Sequence, residues 1–178
     1  MNRQAKNLTA IGMLCALAYA AAAVGRVPLV LFLKYDPKDI VIALGGLILG
    51  PPASCSVALT VSLAEMFTIS ETGVLGMLMN VVSSCSFACT AALVYQRRRT
   101  FLGAAAGLLC GWLCMVLVML LWNYFIAPIY MGYPREAVAE LLIPAFLPFN
   151  VIKGGLNAAA ALLLYRPVLA AWNATPHE

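Results

Sequence analysis

The sequence predicts an all-α integral membrane protein with six transmembrane helices and both termini in the cytoplasm. Hydrophobic residues make up 63% of the chain, charged residues 10%, and the mean hydropathy is +0.93. A soluble domain carries about 25% charged residues. Because a membrane helix needs about 20 apolar residues, 178 residues suffice for five or six spans with short connections. No room remains for a soluble catalytic or nucleotide-binding domain.

Apolar runs separated by proline, glycine or charge define one six-helix domain over 1–178. The predicted spans are about 8–25, 39–50, 53–69, 74–95, 102–127 and 148–165, with external loops at about 31–38 and 128–147. The second span is short, interrupted by Gly45 and Gly46, and ends at Gly50. The fifth is the longest, about 39 Å as a straight helix, which allows it to cross with a tilt.

Small residues recur every four positions on the first helix, at Gly12, Ala16 and Ala20. Such a face lets helix backbones approach closely in a bilayer, either within the protein or against a partner subunit.

Basic residues predict the orientation, because cytoplasmic loops are enriched in lysine and arginine. With the N-terminus inside, the only basic residues of the outer loops are Lys34, Lys38 and Arg135, and acidic residues accompany them. The inner side then holds the larger basic group: Arg3, Lys6, Arg97, Arg98, Arg99 and Arg166.

In this topology, polar residues from four helices fall in the outer third of the membrane. A lysine at mid-depth in lipid costs about 2.5–3.5 kcal/mol, so such residues are expected to face protein, water or a ligand. On the last helix the spacing of Asn150, Lys153 and Asn157 (i, i+3, i+7) gives one polar stripe. We therefore predict a shared pocket, open to the outside, that contains Glu65, Asn80, Asn123, Asn150 and Lys153.

Several of these residues have a second interpretation. Lys153 would also be compatible with a helix-end lysine that reaches the headgroups. Trp122 and Phe149 fit either an interfacial aromatic belt or stacking on a flat ligand. Glu65 would suit an ion pair or hydrogen bond within the pocket, with Lys153 as one candidate partner.

The sequence lacks the motifs of several other classes. It has no phosphate-binding Gly-x-x-x-x-Gly-Lys-Ser/Thr run, and its single histidine, His177, lies in the tail. The six cysteines all lie in apolar runs and are expected to fill helix contacts rather than bind a metal. No basic face interleaved with aromatics suggests nucleic acid. We expect a protein without catalytic residues, metal or resident cofactor.

Four motifs, together with the small-residue face, resemble the S components of energy-coupling factor (ECF) vitamin transporters, especially the riboflavin-specific type. They are Phe32-Leu33-Lys34-Tyr35-Asp36-Pro37-Lys38-Asp39, Thr72-Gly73-Val74-Leu75-Gly76 with Asn80, Trp122-Asn123-Tyr124, and Pro148-Phe149-Asn150-Val151-Ile152-Lys153-Gly154. The last is the most specific.

The resemblance implies that Asn123, Asn150 and Lys153 hydrogen-bond a flavin while the first loop, with Lys34 and Tyr35, covers it. Carboxamides both donate and accept, as the edge of an isoalloxazine ring does, and lysine only donates. The resemblance also implies docking of the first helix on a transmembrane coupling subunit, two ATPase subunits as further partners, and a bacterial cytoplasmic membrane. Riboflavin would be captured outside for ATP-driven uptake.

Other functions remain open from sequence. An S component for another vitamin such as pantothenate would use Lys153 as the partner of a ligand carboxylate. Flavin mononucleotide would be tolerated if Lys153 or Arg26 accepted its phosphate. A small membrane enzyme would need a reactive pair and a channel a continuous polar path, and neither pattern is present.

Overall fold

The computed structural model describes residues 3–30, 33–69 and 73–174. Helices dominate this part of the chain, joined by one pair of short strands. In chain order the elements are α1 (Arg3–Gly25), β1 (Val27–Val30), β2 (Leu33–Tyr35), α2 (Lys38–Leu49), α3 (Pro51–Thr68), α4 (Gly73–Arg97), α5 (Phe101–Met131), α6 (Arg135–Leu141), a π-helical turn (Leu142–Phe146) and α7 (Leu147–Ala174).

Four helical stretches are long and apolar enough to cross a membrane: Ala5–Gly25, Gly73–Arg97, Phe101–Ile129 and Arg135–Ala174. The 12 residues of α2 extend only about 18 Å, less than the roughly 30 Å of a hydrocarbon core. The prediction of a helical membrane protein is therefore confirmed for the described residues, which contain four candidate spans.

The first predicted loop is not exposed over its whole length, because its charged end is buried. Strands β1 and β2 pair antiparallel, with Val27 opposite Tyr35, so the all-α prediction misses a hairpin. After it, Asp36, Lys38 and Asp39 are 4%, 0% and 2% exposed. These charges are buried because they pair with one another and with groups on other helices.

Helix α2 begins inside the bundle. Asp39, in its first turn, contacts Ser84 halfway along α4, whereas Gly50, which follows α2, lies against Gln96 near the end of α4. The chain between α1 and α2 therefore descends about half the length of α4 before α2 starts, and this accounts for the shortness of α2.

The second predicted loop, 128–147, is mostly helical. Helix α5 continues past Pro128, whose carbonyl accepts from the amide of Gly132 at 3.1 Å, and ends where Gly132 takes a left-handed conformation (φ 70°). Helix α6, the π-helical turn and α7 then follow one another without a break. A proline is tolerated in an apolar helix when neighbouring groups satisfy the backbone. Likewise, α7 continues through Pro167 to Ala174 rather than ending at 165.

Glycines allow α5 to pack closely on both of its neighbours. A Cβ on Gly107 or Gly111 would meet the backbone carbonyls of Ala91 and Phe87 on α4, and one on Gly154 of α7 would overlap the Trp112 side chain. Small residues are the usual means of close helix approach in membranes.

Contacts along α5 and α7 show which residues share a level. Met115 lies against Gly154, and Ala127 belongs to the apolar cluster that contains Phe146 and Phe149. The two helices therefore run antiparallel, and Asn123 of α5 lies at the level between these contacts, as do Asn150 and Lys153 of α7.

We predict that Gly154→Ala destabilises the detergent-solubilised protein, because the added methyl overlaps Trp112 and Met115. Overpacking of this kind costs about 1–3 kcal/mol, which lowers the melting temperature by about 2–12 °C. Thermal unfolding followed by tryptophan fluorescence measures the change. Gly12→Ala is the matched control, because nothing lies within 4 Å of its added Cβ. Equal melting of both variants would contradict the packing described.

Candidate ligand-binding site

Buried polar residues gather where the end of α1 and the hairpin meet α2, α3, α4 and α7. The first group, here called the Glu65 cluster, consists of Arg26, Asp36, Lys38, Glu65 and Asn80. Arg26 lies 2.9 Å from Asp36 and 3.1 Å from Glu65, and Lys38 lies 3.2 Å from Asp36 and pairs directly with Glu65. Asn80 donates to the same Glu65 oxygen, Oε2, at 3.2 Å. The cluster thus joins the hairpin end to α2, α3 and α4.

The second group, the Asp39 cluster, consists of Tyr35, Asp39, Ser84, Lys153 and Asn157. The Lys153 ammonium lies 3.1 Å from Asp39 Oδ2, and Ser84 donates to Asp39 Oδ1. Tyr35 donates to Asn157 Oδ1 at 2.9 Å, while Asn157 Nδ2 lies 3.5 Å from Asp39. This cluster connects the hairpin and α2 to α4 and α7.

The two clusters together are electrically neutral. Burial of an unpaired charge is strongly unfavourable, whereas a paired and hydrogen-bonded charge is tolerated. Each of the three cations has a carboxylate partner and each of the three carboxylates has a cation partner: Arg26, Lys38 and Lys153 with Asp36, Asp39 and Glu65.

The third group, the α5–α7 face, consists of Trp122, Asn123, Phe149 and Asn150. The amides of Asn123 and Asn150 donate to backbone carbonyls one turn earlier on their own helices, at 2.7 and 2.8 Å. Asn123 Oδ1 and Trp122 Nε1 are buried without a hydrogen-bond partner among the described residues. Because buried polar groups are rarely unpaired, this face retains one acceptor and one donor for another molecule.

The structure brings most of the predicted pocket residues together. Glu65 and Asn80 lie in the Glu65 cluster and Lys153 in the Asp39 cluster, whereas Asn123 and Asn150 lie on the α5–α7 face. The Asp39 cluster lies near the middle of α4, because Ser84 is halfway along that helix.

The suggested pairing of Glu65 with Lys153 is wrong. Glu65 pairs with Lys38 and Arg26, and Lys153 pairs with Asp39. The interpretation of Lys153 as a lysine that reaches the headgroups also fails, because its side chain is only 7% exposed.

The remaining predicted residues lie in three different parts of the structure. Tyr35 reaches the site through Asn157. Lys34 belongs to β2, but its side chain lies outside the described part of the chain. The small-residue face of Gly12, Ala16 and Ala20 is exposed on the surface of α1.

Sequence reasoning missed Asp36, Lys38, Asp39 and Ser84 as site residues, and it considered Arg26 only as a partner for a ligand phosphate. It assigned the loop at about 31–38 to the outside, where charge is ordinary. A signal was present nevertheless: Glu65 and Lys153, buried in apolar helices, each need an opposite charge. Asp36, Lys38 and Asp39, where that loop meets the second predicted span, carry charges of both signs.

Three side chains of the first connection have shifted pKa values. Burial raises the pKa of Asp36, but Lys38, Lys153 and Arg26 outweigh it and hold the pKa below its usual value. Burial lowers the pKa of Arg26, yet Asp36 and Glu65 raise it above normal. The pKa of Tyr35 is raised by burial and by Asp39. At neutral pH, Asp36 and Arg26 are thus charged and Tyr35 keeps its donating proton.

These features describe a helical chain with apolar candidate spans and with buried polar clusters whose described charges pair with one another. The family model for the substrate-specific component of ECF transporters matches residues 6–165. The chain belongs to that family, and it is therefore a transport component rather than an enzyme, as the sequence predicted.

Individual relatives agree with this assignment. The chain is 29% identical over 174 residues to the riboflavin transporter RibU of Staphylococcus aureus (strain TCH60), with 92% of this chain and 90% of the relative covered. It is 30% identical over 132 residues to the riboflavin transporter FmnP of Bacillus subtilis (strain 168), covering 69% and 70%. A solved structure described as the S component of a bacterial ECF transporter superposes with a TM-score of 0.80 at 28% identity, covering 96% of this chain and 99% of that one.

We predict that Lys153→Met strongly destabilises the ligand-free protein, because it leaves the Asp39 carboxylate buried with neutral partners only. Breaking a buried pair in this way costs roughly 3–5 kcal/mol. The double variant Lys153→Met/Asp39→Asn is expected to regain part of that loss, since no unpaired charge remains. Thermal melting of wild type, Lys153→Met, Asp39→Asn and the double variant measures the coupling, and additive effects of the two substitutions would contradict the ion pair.

We also predict a pH-dependent contribution from Asp36. Its pKa in the folded protein lies below the ordinary aspartate value of 3.8. The folded state is therefore stabilised above pH 3.8, and this stabilisation is lost as the pH falls through the lower, folded-state pKa. Melting temperatures of wild type and Asp36→Asn between pH 7 and pH 3 are the measurement. The difference between the two is expected to shrink at the acidic end, and a constant difference would show that the charge of Asp36 contributes nothing.

Proposed function

We propose that this chain is the riboflavin-binding component of a bacterial ECF transporter and captures riboflavin at the outer side for ATP-driven uptake. The observation that carries the proposal is a pair of buried polar atoms on α5, Asn123 Oδ1 and Trp122 Nε1, which have no hydrogen-bond partner among the described residues. Asn150 and Lys153 of α7 are buried at the same level of the bundle. Two riboflavin transporters are among the relatives of this chain, which makes a flavin the first ligand to test.

The chemistry of the α5–α7 face suits a flavin. One edge of the isoalloxazine ring alternates donors and acceptors, and Asn123 and Asn150 supply carboxamides that match either kind. Lys153 donates to a carbonyl or a ribityl oxygen. Phe149 is buried and Trp122 half-buried, so both offer aromatic surface for the ring. None of these groups performs a reaction, so the ligand is bound and released unchanged.

The hairpin acts, in this proposal, as the cover of the site. Tyr35 and Asp39 connect it to Asn157 and Lys153 of α7. A ligand that binds Lys153 therefore changes the interactions of the residues that hold the hairpin in place. Lys34, the neighbour of Tyr35 on β2, is a second proposed residue of this cover.

The proposed topology has six spans and both termini in the cytoplasm. Arg166 of α7 stacks over Phe101 at the start of α5 at 4.5 Å, and Arg97 ends α4. These basic residues lie at the opposite end of the helices from the hairpin, which supports a cytoplasmic assignment for that end. Helices α2 and α3 together supply the second and third spans, with the hairpin filling the outer half of the short one.

The proposed partners follow from the exposed face of α1. Gly12, Ala16 and Ala20 are exposed in the isolated chain and suit close packing against another membrane helix. We infer that this face docks on a transmembrane coupling subunit, which carries two ATPase subunits.

The decisive test of the ligand is quenching of riboflavin fluorescence by the purified protein. Asn123→Ala and Asn150→Ala are each expected to weaken binding by about fivefold or more, since a lost hydrogen bond in a buried site costs about 1–3 kcal/mol. Asn173→Ala, an exposed asparagine on the same helix as Asn150, is the matched control and should bind as wild type. Loss of binding in the control, or full binding in both site variants, would contradict the site.

A further inference from the structure

Four exposed arginines lie together at the end of the helix bundle that is opposite to the hairpin. Arg97 ends α4. Arg98 and Arg99 follow in the connection to α5, which begins at Phe101. The guanidinium of Arg166, on α7, stacks over the Phe101 ring at 4.5 Å. These four arginines, here called the arginine patch, therefore bring positive charge from separate segments of the chain to one place.

A buried contact between two helices holds the members of the patch near one another. The hydroxyl groups of Tyr95 on α4 and Tyr165 on α7 lie 2.8 Å apart, and each tyrosine is only 5% exposed. Tyr95 lies two residues before Arg97, and Tyr165 directly precedes Arg166. The arrangement of the patch is therefore determined by packing between α4 and α7, and not by the connection alone.

No ion pair joins the arginine patch to a carboxylate in the described part of the chain. The carboxylates of Asp36, Asp39 and Glu65 pair within the site. Those of Glu136 and Glu140 lie on α6, which follows the far end of α5. An exposed patch of one sign favours a partner of the opposite sign, so the partner of this patch is expected to be an anion.

The surroundings of the patch indicate which anion. The candidate span on α4 ends at Arg97 and the next span begins at Phe101, so the connection between them lies at a membrane–water interface. Apolar side chains continue from the arginines into the spans. Leu102 is 78% exposed, and Leu163, on the same face of α7 as Arg166, is 79% exposed. An amphiphile with an anionic head and apolar chains fits both parts of this surface, whereas a soluble anion fits only the arginines.

We propose that the arginine patch binds the headgroup of an anionic phospholipid, whose acyl chains lie along Leu102 and Leu163. Guanidinium groups suit this role because they form paired hydrogen bonds with phosphate oxygens. Each basic residue close to an anionic membrane surface strengthens binding by about fivefold, so the four arginines act together. The bound lipid holds this end of the bundle at the membrane surface, a role that is separate from ligand capture by the site.

The first test measures lipid binding to the purified wild-type protein by native mass spectrometry. Phosphatidylglycerol is compared with phosphatidylcholine of the same acyl chains, which carries the same phosphate but no net charge. The first phosphatidylglycerol molecule is expected to bind at least about tenfold more tightly. Glycerol 3-phosphate presents the phosphate without acyl chains. It should bind at least about tenfold more weakly than phosphatidylglycerol, because it buries no apolar surface.

The second test removes charge from the patch. Arg166→Gln is expected to weaken phosphatidylglycerol binding by about fivefold, and simultaneous replacement of residues 97–99 by glutamine by about tenfold or more. Arg135→Gln is the matched control. Arg135 is also exposed and also lies over an aromatic ring, that of Tyr124 at 5.8 Å, but it follows the opposite end of α5. This control should bind phosphatidylglycerol as wild type does, and no variant should change phosphatidylcholine binding.

Several outcomes would overturn the lipid site. They are equal affinity for the two lipids, glycerol 3-phosphate bound as tightly as phosphatidylglycerol, unchanged phosphatidylglycerol binding in both patch variants, and an equal loss in Arg135→Gln. Should Arg166→Gln fail to fold, the replacement of residues 97–99, whose side chains are exposed, decides. A protein that shows the lipid preference but ignores riboflavin would contradict the proposed function and leave the lipid site standing.

Discussion

The structure depends on the mutual neutralisation of six buried charges. Lys38 and Glu65 are both 0% exposed. Neither could be buried as an ion without the other, since an isolated ion in an apolar interior is far less stable than in water. The groups come from the first connection, α2, α3 and α7. Their pairing therefore determines where the hairpin lies and where α2 begins.

This constraint links the fold to the function. A chain segment fixed by charge pairs, rather than by an apolar core, is held by interactions that a polar ligand can extend or replace. The apolar packing of α4, α5 and α7, built on small residues such as Gly111 and Gly154, supplies a rigid framework on which Asn123, Asn150 and Lys153 are presented. In the proposed function, the helices form the wall that contacts the ligand and the connection covers it.

The sequence predicted the features that arise locally and missed those that arise from tertiary contact. Helical periodicity alone places Asn150, Lys153 and Asn157 on one face of α7, and all three are buried there. The partners of Asn157, however, are Tyr35 and Asp39, 122 and 118 residues away, and no local pattern reveals them. In the sequence, the charged residues between α1 and α2 look like a solvent-exposed loop. They are expected to be buried only when they are considered together with Glu65 and Lys153, which lie in apolar helices and each need an opposite charge. Helix ends were misplaced for a related reason: Pro128 and Pro167 suggested termini, yet each helix continues past its proline.

The most direct test of this account is amide hydrogen exchange of Lys38 in the purified protein, with and without riboflavin, compared with that of Tyr133 in the connection between α5 and α6. Lys38 begins α2, and its amide donates to the Asp36 carboxylate at 3.2 Å rather than to a helix carbonyl. The buried ion network therefore predicts much slower exchange at Lys38 than at Tyr133 without ligand, and further slowing at Lys38 when riboflavin binds. Equally fast exchange of the two amides, unaffected by riboflavin, would contradict the buried ion network on which the account is built.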